Sequence, residues 1–136
     1  MSANVDRRAS VLADTAKAIW TYAEVGYQEQ RSSALLQAQL KAGGFTVTPG
    51  VAGMPTAFVA SYKRGAGPVI AVLAEYDALP GSAQTADPER KAIAGQAAGH
   101  ACGHNLFGAA SVTAALAIRD WMATNNVAGE LRVFGT

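Results

Sequence analysis

Between Asn105 and Ile118 almost every residue is apolar or small (NLFGAASVTAALAI). A helix of that composition has no polar face to turn toward water, so it must be covered on most of its surface. Gly108, Ala109, Ala110 and Ala114 allow close packing, and Asn105 is a favourable N-cap. Upstream, Pro68 to Ala74 (PVIAVLA) is continuously apolar and partly β-branched. That is the pattern of a strand covered on both faces, and it marks this segment as the candidate sheet centre. Downstream, Glu130 to Phe134 reads as another short strand. Strand, loop, buried helix and strand form a βαβ unit, whose right-handed crossover makes the strands at 68–74 and 130–134 parallel neighbours or near neighbours. The fold class is α/β.

The remaining segments fit around that unit. Leu12, Ala16, Ile19 and Ala23 recur at helical spacing, which predicts an amphipathic helix from Arg8 to about Ala23. A second helix runs from Glu29 to about Ala42, with Leu36 and Leu40 on one face and Gly43-Gly44 stopping it. Phe45 to Thr48 alternates into a turn at Pro49-Gly50, and Ala57 to Tyr62 is a less regular strand. Gly81 to Gly99 has no sustained period and reads as a long functional loop, with a short helical turn near Asp87 to Ala92.

A chain of 136 residues, half of them hydrophobic, buries one core. The 11 basic and 10 acidic residues are interspersed and give a net charge of +1, so there is no basic stripe for a nucleic acid. No window approaches the roughly 20 apolar residues of a membrane span, and the N-terminus lacks the apolar core of a signal peptide. The expected location is soluble and cytoplasmic. The single cysteine cannot form an intrachain disulfide, so it needs another account.

In open α/β sheets the ligand crevice lies beyond the carboxyl ends of the strands. Two segments fall there: Glu75-Tyr76-Asp77 after the first strand of the βαβ unit, and His100-Ala101-Cys102-Gly103-His104 before its helix. Two carboxylates, two imidazoles and a thiol therefore converge on one sheet edge. An extended Cys102-Gly103-His104 would throw sulfur and imidazole to the same side, within reach of one divalent ion. Three readings of Cys102 and His104 stand open: metal ligation, a reactive thiol with His100 or His104 as base, and a capped loop without chemistry. Glu75 and Asp77 fit strand-end solvation or capping as well as catalysis, and Tyr76 is a packing residue. Glu24 and Glu29 flank a helix break and read as solvated or capping. Trp20 and Trp121 read as core.

These runs, Leu73-Ala-Glu-Tyr-Asp-Ala-Leu-Pro80 and Gly99-His-Ala-Cys-Gly-His-Asn-Leu106, together resemble the aminoacylase and carboxypeptidase metallopeptidase superfamily in its amidohydrolase branch, with supporting matches from Ile19-Trp20 to Phe58. The resemblance implies the N-terminal part of a zinc-peptidase-like three-layer catalytic domain with a mixed sheet, spanning residues 1–136. It implies Cys102 and His104 as metal ligands and Asp77 as a catalytic-site residue. In related branches that aspartate orients a metal-ligating histidine two residues earlier, a position held here by Glu75; His100 has no assigned role. Two divalent ions, zinc or manganese or alternatively cobalt, would hydrolyse an amide bond in a small N-acyl amino acid, aminobenzoyl-glutamate or dipeptide-like substrate. The family's general-base glutamate follows a strand ending like Gly135-Thr136, where this chain stops. The expectation is therefore an inactive isolated chain, without the inserted dimerisation domain, that self-associates through exposed edges. The competing functions are a non-catalytic binding or assembly module and a Cys102 thiol enzyme.

Overall fold

The computed structural model describes residues 2–136. Helices α1 (Ser2–Asp6), α2 (Ala9–Tyr22) and α3 (Gln30–Ala42) precede strands β1 (Thr46–Pro49), β2 (Phe58–Arg64) and β3 (Val69–Ala74). A short ladder of β4 (Leu79–Pro80) and β5 (Ala98–Gly99), the long helix α4 (His104–Thr124) and β6 (Gly129–Gly135) complete the chain. The main sheet has the order β1-β2-β6-β3. β3 and β6 are parallel neighbours, as the βαβ reading requires, while β1-β2 and β2-β6 are antiparallel, so the sheet is mixed.

Alternation along the strands decides which face is covered. Phe58, Ala60, Leu131 and Val133 point into one core with Ile19, Leu36, Leu40, Val112 and Leu116 of the helices. The opposite face is left open among the described residues. β3 is not the sheet centre: among those residues it lies at the edge, bonded only to β6, with Ile70 57% and Leu73 60% exposed. Its continuous apolarity fits a strand, but the expected cover on both faces is not found among the described residues, because β3 has a partner on one edge only and the helices reach little of it beyond Ala74.

α4 is buried along most of its length, as its composition demands. Its N-cap is Gly103 in the left-handed region, not Asn105. Asn105 lies inside the first turn, buried, where its Nδ2 donates to Ala16 O of α2 at 3.1 Å. Gly108 lets α4 lie close against the end of β3: a Cβ there would sit 2.8 Å from Glu75 O.

Several other expectations change. The segment 87–92 contains bends and no helical turn. Trp121 is 36% exposed and Trp20 only half-buried, so neither is a core residue. Glu24 does cap: its carboxylate accepts from the backbone N–H groups of Arg31 and Ser32, both at 2.9 Å, in the first turn of α3, where an anion also meets the positive end of the helix dipole. Glu29 is neither solvated nor making a side-chain cap; it is 3% exposed and its Oε2 accepts from Thr56 Oγ1 at 2.6 Å. Tyr76 packs as expected, stacked on Phe58 with its hydroxyl donating to Thr56 O at 2.6 Å. No helix is long and apolar enough to cross a membrane among the described residues.

Candidate metal centre

Three pieces of chain meet at the carboxyl end of β3. The parallel ladder continues past the strand ends, with Thr136 N–H donating to Ala74 O and Tyr76 N–H to Thr136 O. This holds Glu75 and Asp77 just beyond the sheet, where the end of a parallel strand presents its side chains to a crevice. The β4-β5 ladder, with Leu79 opposite Gly99, then folds the second motif back onto the first. α4 begins at His104, so a single turn of backbone carries His100, Cys102 and His104 past the two carboxylates.

His104 stands between those carboxylates. Its Nδ1 is 2.6 Å from Asp77 Oδ1 and its Nε2 is 3.0 Å from Glu75 Oε2. With the proton on Nδ1, Asp77 accepts it. In that neutral tautomer Nε2 carries a lone pair directed at a carboxylate oxygen. Two acceptors facing each other at hydrogen-bond distance need a positive charge between them, either a proton or a cation. Ligand atoms of Glu75, Asp77 and His104 all lie within 4.8 Å of one another, and each residue is only half-buried, so the group is reachable from solvent.

Cys102 occupies a different position. The tripeptide is not extended: Gly103 N–H donates to His100 O across a turn, and Gly103 has φ 88°. The thiol is exposed on that turn, two residues before His104, and outside the three-residue cluster. His100 turns inward. Its Nε2 lies 3.1 Å from Ile19 O and must donate to that carbonyl, which leaves a buried Nδ1 acceptor without a partner. Burial is the main cause that pulls the His100 pKa below its ordinary value, with the neighbouring His104 adding and Asp77 opposing.

Beside the cluster a cavity of about 270 Å³ is lined by Glu75, Asp77 and His104 together with Tyr27, Glu29 and Thr56. The last three were not marked as site residues by the sequence. Glu29 falls in the same helix break as Glu24 and carries no periodic signal, while Thr56 sits in an irregular turn; only the tertiary fold brings them to the cavity wall. Burial pushes the Tyr76 phenol behind this wall up to about 12, with the charge of Glu29 adding and the Ser33 hydroxyl pulling the other way.

No family model matches the chain. Individual proteins do. It is 41% identical over 123 residues to a p-aminobenzoyl-glutamate hydrolase polypeptide of Escherichia coli, covering 90% of this chain and 25% of that protein. It is 36% identical over 125 residues to a mouse Xaa-Arg dipeptidase, covering 85% of this chain and again 25% of the relative. Among solved structures, a dinuclear metal-binding peptidase of the M20 family from Bacillus subtilis superposes with a TM-score of 0.76 at 26% identity, over 98% of this chain and 35% of that one. The chain belongs to the aminoacylase and carboxypeptidase metallopeptidase superfamily, in its amidohydrolase branch. It spans about a quarter of the length of the curated relatives it matches.

Within that superfamily chain, the donor set suits a divalent ion. Two carboxylate oxygens and an imidazole nitrogen are borderline to hard ligands, acceptable to zinc, manganese or cobalt. The Asp77 to His104 contact also supplies the arrangement that a ligating histidine ordinarily has, with its distal N–H held by a carboxylate. Asp77 thus orients a histidine 27 residues later in the chain rather than one two residues before it.

Proposed function

We propose that the chain forms part of the catalytic domain of a metal-dependent amidohydrolase acting on a small N-acyl amino acid, aminobenzoyl-glutamate or dipeptide-like substrate. The observation that carries this reading is the His104 imidazole, locked by Asp77 and presenting Nε2 beside Glu75 at the mouth of a cavity. His104 and Glu75 are the groups that the geometry brings together to hold a divalent metal, zinc or manganese, and Cys102, which the family resemblance implies as a ligand, stands on the adjoining turn. When bound, the metal supplies Lewis-acid polarisation of the amide carbonyl and a water acidic enough to act as nucleophile near neutral pH. Asp77 fixes the imidazole tautomer and ring plane, and Glu29 and Thr56 shape the cavity beside it.

Asp77 is held by the His104 ring, Glu75 is given to the metal in this reading, and Glu29 is occupied by Thr56. None of the three carboxylates lining the cavity is thus free as general base, and in this reading the 136 residues by themselves turn over substrate slowly or not at all. A Cys102 thiol enzyme has less support, since both nitrogens of His104 face carboxylates and His100, equally near in sequence, turns inward with its Nε2 on Ile19 O. A lone cysteine suits the reducing cytoplasm, where we place the protein.

Calorimetric titration of the purified chain with Zn²⁺ and Mn²⁺ tests the centre. The wild type binds, His104→Ala abolishes binding, and Cys102→Ser weakens it. Unchanged binding in His104→Ala overturns the proposed centre. Alkylation-sensitive, metal-independent turnover would instead establish the thiol enzyme.

A further inference from the structure

Beyond the metal-binding side chains, the cavity has one strained and strongly exposed wall residue. Tyr27 is 70% exposed, with φ 65°. It takes the third position of a four-residue turn that Gln28 N–H closes by donating to Val25 O at 2.9 Å. A left-handed residue at that position is ordinarily glycine or asparagine, and a bulky aromatic there is an outlier. Gly26, which would relieve the strain, stands one position too early and is not left-handed itself. The turn is fixed relative to the metal-binding cluster: Ala78 N–H donates to Glu24 O at 2.7 Å, and Val25 forms a parallel bridge with Ala78, the residue after Asp77. An apolar ring is thus held in solvent, at a conformational penalty, on an anchored turn at the mouth of the cavity. Strained residues that the surrounding structure over-determines concentrate at ligand-binding sites.

We infer that Tyr27 is a specificity-determining residue, whose ring stacks on an aromatic acyl group of the substrate while the amide reaches the His104 side of the cavity; this rests on the amidohydrolase reading. An exposed ring offers a flat apolar surface with little entropy to lose, which suits a planar aryl group and gives nothing comparable to a methyl group.

The test is ligand binding to the Zn²⁺-loaded chain, followed by NMR line broadening and chemical-shift titration with N-benzoylglycine and N-acetylglycine. Tyr27→Asn removes the ring but suits the left-handed turn, and Tyr27→Phe keeps the ring. Tyr27→Asn should weaken N-benzoylglycine about five- to tenfold and leave N-acetylglycine unchanged, with Tyr27→Phe close to wild type. Thermal unfolding of Tyr27→Asn should be unchanged or shifted upward, since the strain is relieved. Equal weakening of both ligands, or none, overturns the stacking role and leaves the hydrolase reading standing. A marked loss of thermal stability in Tyr27→Asn also overturns it, because the ring would then be a packing group. Absence of binding by either ligand to the Zn²⁺-loaded wild type counts against the hydrolase reading itself and removes the inference with it.

Discussion

The Nδ1–H of His104 donates to Asp77 Oδ1 at 2.6 Å, a short hydrogen bond between residues 27 positions apart that joins the end of β3 to the start of α4. A neutral imidazole has one N–H and one lone pair, so this bond decides which nitrogen is left to ligate. Asp77→Asn can present an N–H where the carboxylate accepted one, which favours the wrong tautomer. Zn²⁺ affinity should fall about 10- to 100-fold by calorimetry, with little change in the far-UV circular dichroism spectrum. Undiminished affinity would show that Asp77 does not orient the ligand.

Gly108→Ala opposes two effects of known size. Alanine improves helix propensity by about 1 kcal/mol. Its Cβ would, however, lie 2.8 Å from Glu75 O, and a backbone carbonyl cannot swing aside as a side-chain end can. Overpacking of this kind costs about 1–3 kcal/mol. Net destabilisation is expected in urea unfolding, accompanied by weaker metal binding because Glu75 is displaced.

Thr56 joins the cavity wall to the core. Its hydroxyl donates to Glu29 and its carbonyl accepts from both Ser33 Oγ and Tyr76 OH, each at 2.6 Å. Thr56→Val keeps the shape and removes only the donor, leaving a carboxylate that is 3% exposed short of one hydrogen bond. A loss of about 1–3 kcal/mol in unfolding free energy is expected. Glu29→Gln keeps an acceptor for Thr56 and should cost less.

Tyr76 makes stability depend on alkaline pH. Its folded pKa, raised from 10.0 to about 12, exceeds the unfolded value, so the unfolded state loses its proton first as the pH rises. Stability from this group is fully present below pH 10, declines between pH 10 and 12, and is lost above that window. Tyr76→Phe should be slightly less stable at pH 8 and should lack this decline, as measured by urea midpoints across pH 8–12.

The edge of β3 predicts association. Ile70 and Leu73 are more than half exposed on a strand with no charged residue and, among the described residues, a free hydrogen-bonding edge. Such an edge is a template for pairing with another strand. The wild-type chain should show concentration-dependent self-association in sedimentation velocity, and Leu73→Lys should reduce it. Identical sedimentation of the two proteins would remove β3 as the contact.

Much of this molecule is legible in its residues. Continuous apolarity over 105–118 determined a buried helix, because a segment with no polar face must be covered, while over 68–74 it determined a strand but not its cover. The βαβ order then determined that β3 and β6 are parallel and near one another and that Glu75, Asp77 and His104 share one sheet edge; their direct pairing came from the fold. Spacing did not determine who pairs with whom. The register of the β4-β5 ladder and the left-handed Gly103 decided that Asp77 meets His104 while Cys102 stays exposed on its turn. Tertiary packing also decided that Glu29 is buried against Thr56, that Asn105 ties α4 to α2 rather than capping it, and that β3 lies at the edge. The physical reason is common to all of them. Hydrophobic pattern reports how much of a segment must leave water, but the partner that covers it, and the polar group that meets a buried donor or acceptor, is set by chain segments distant in sequence.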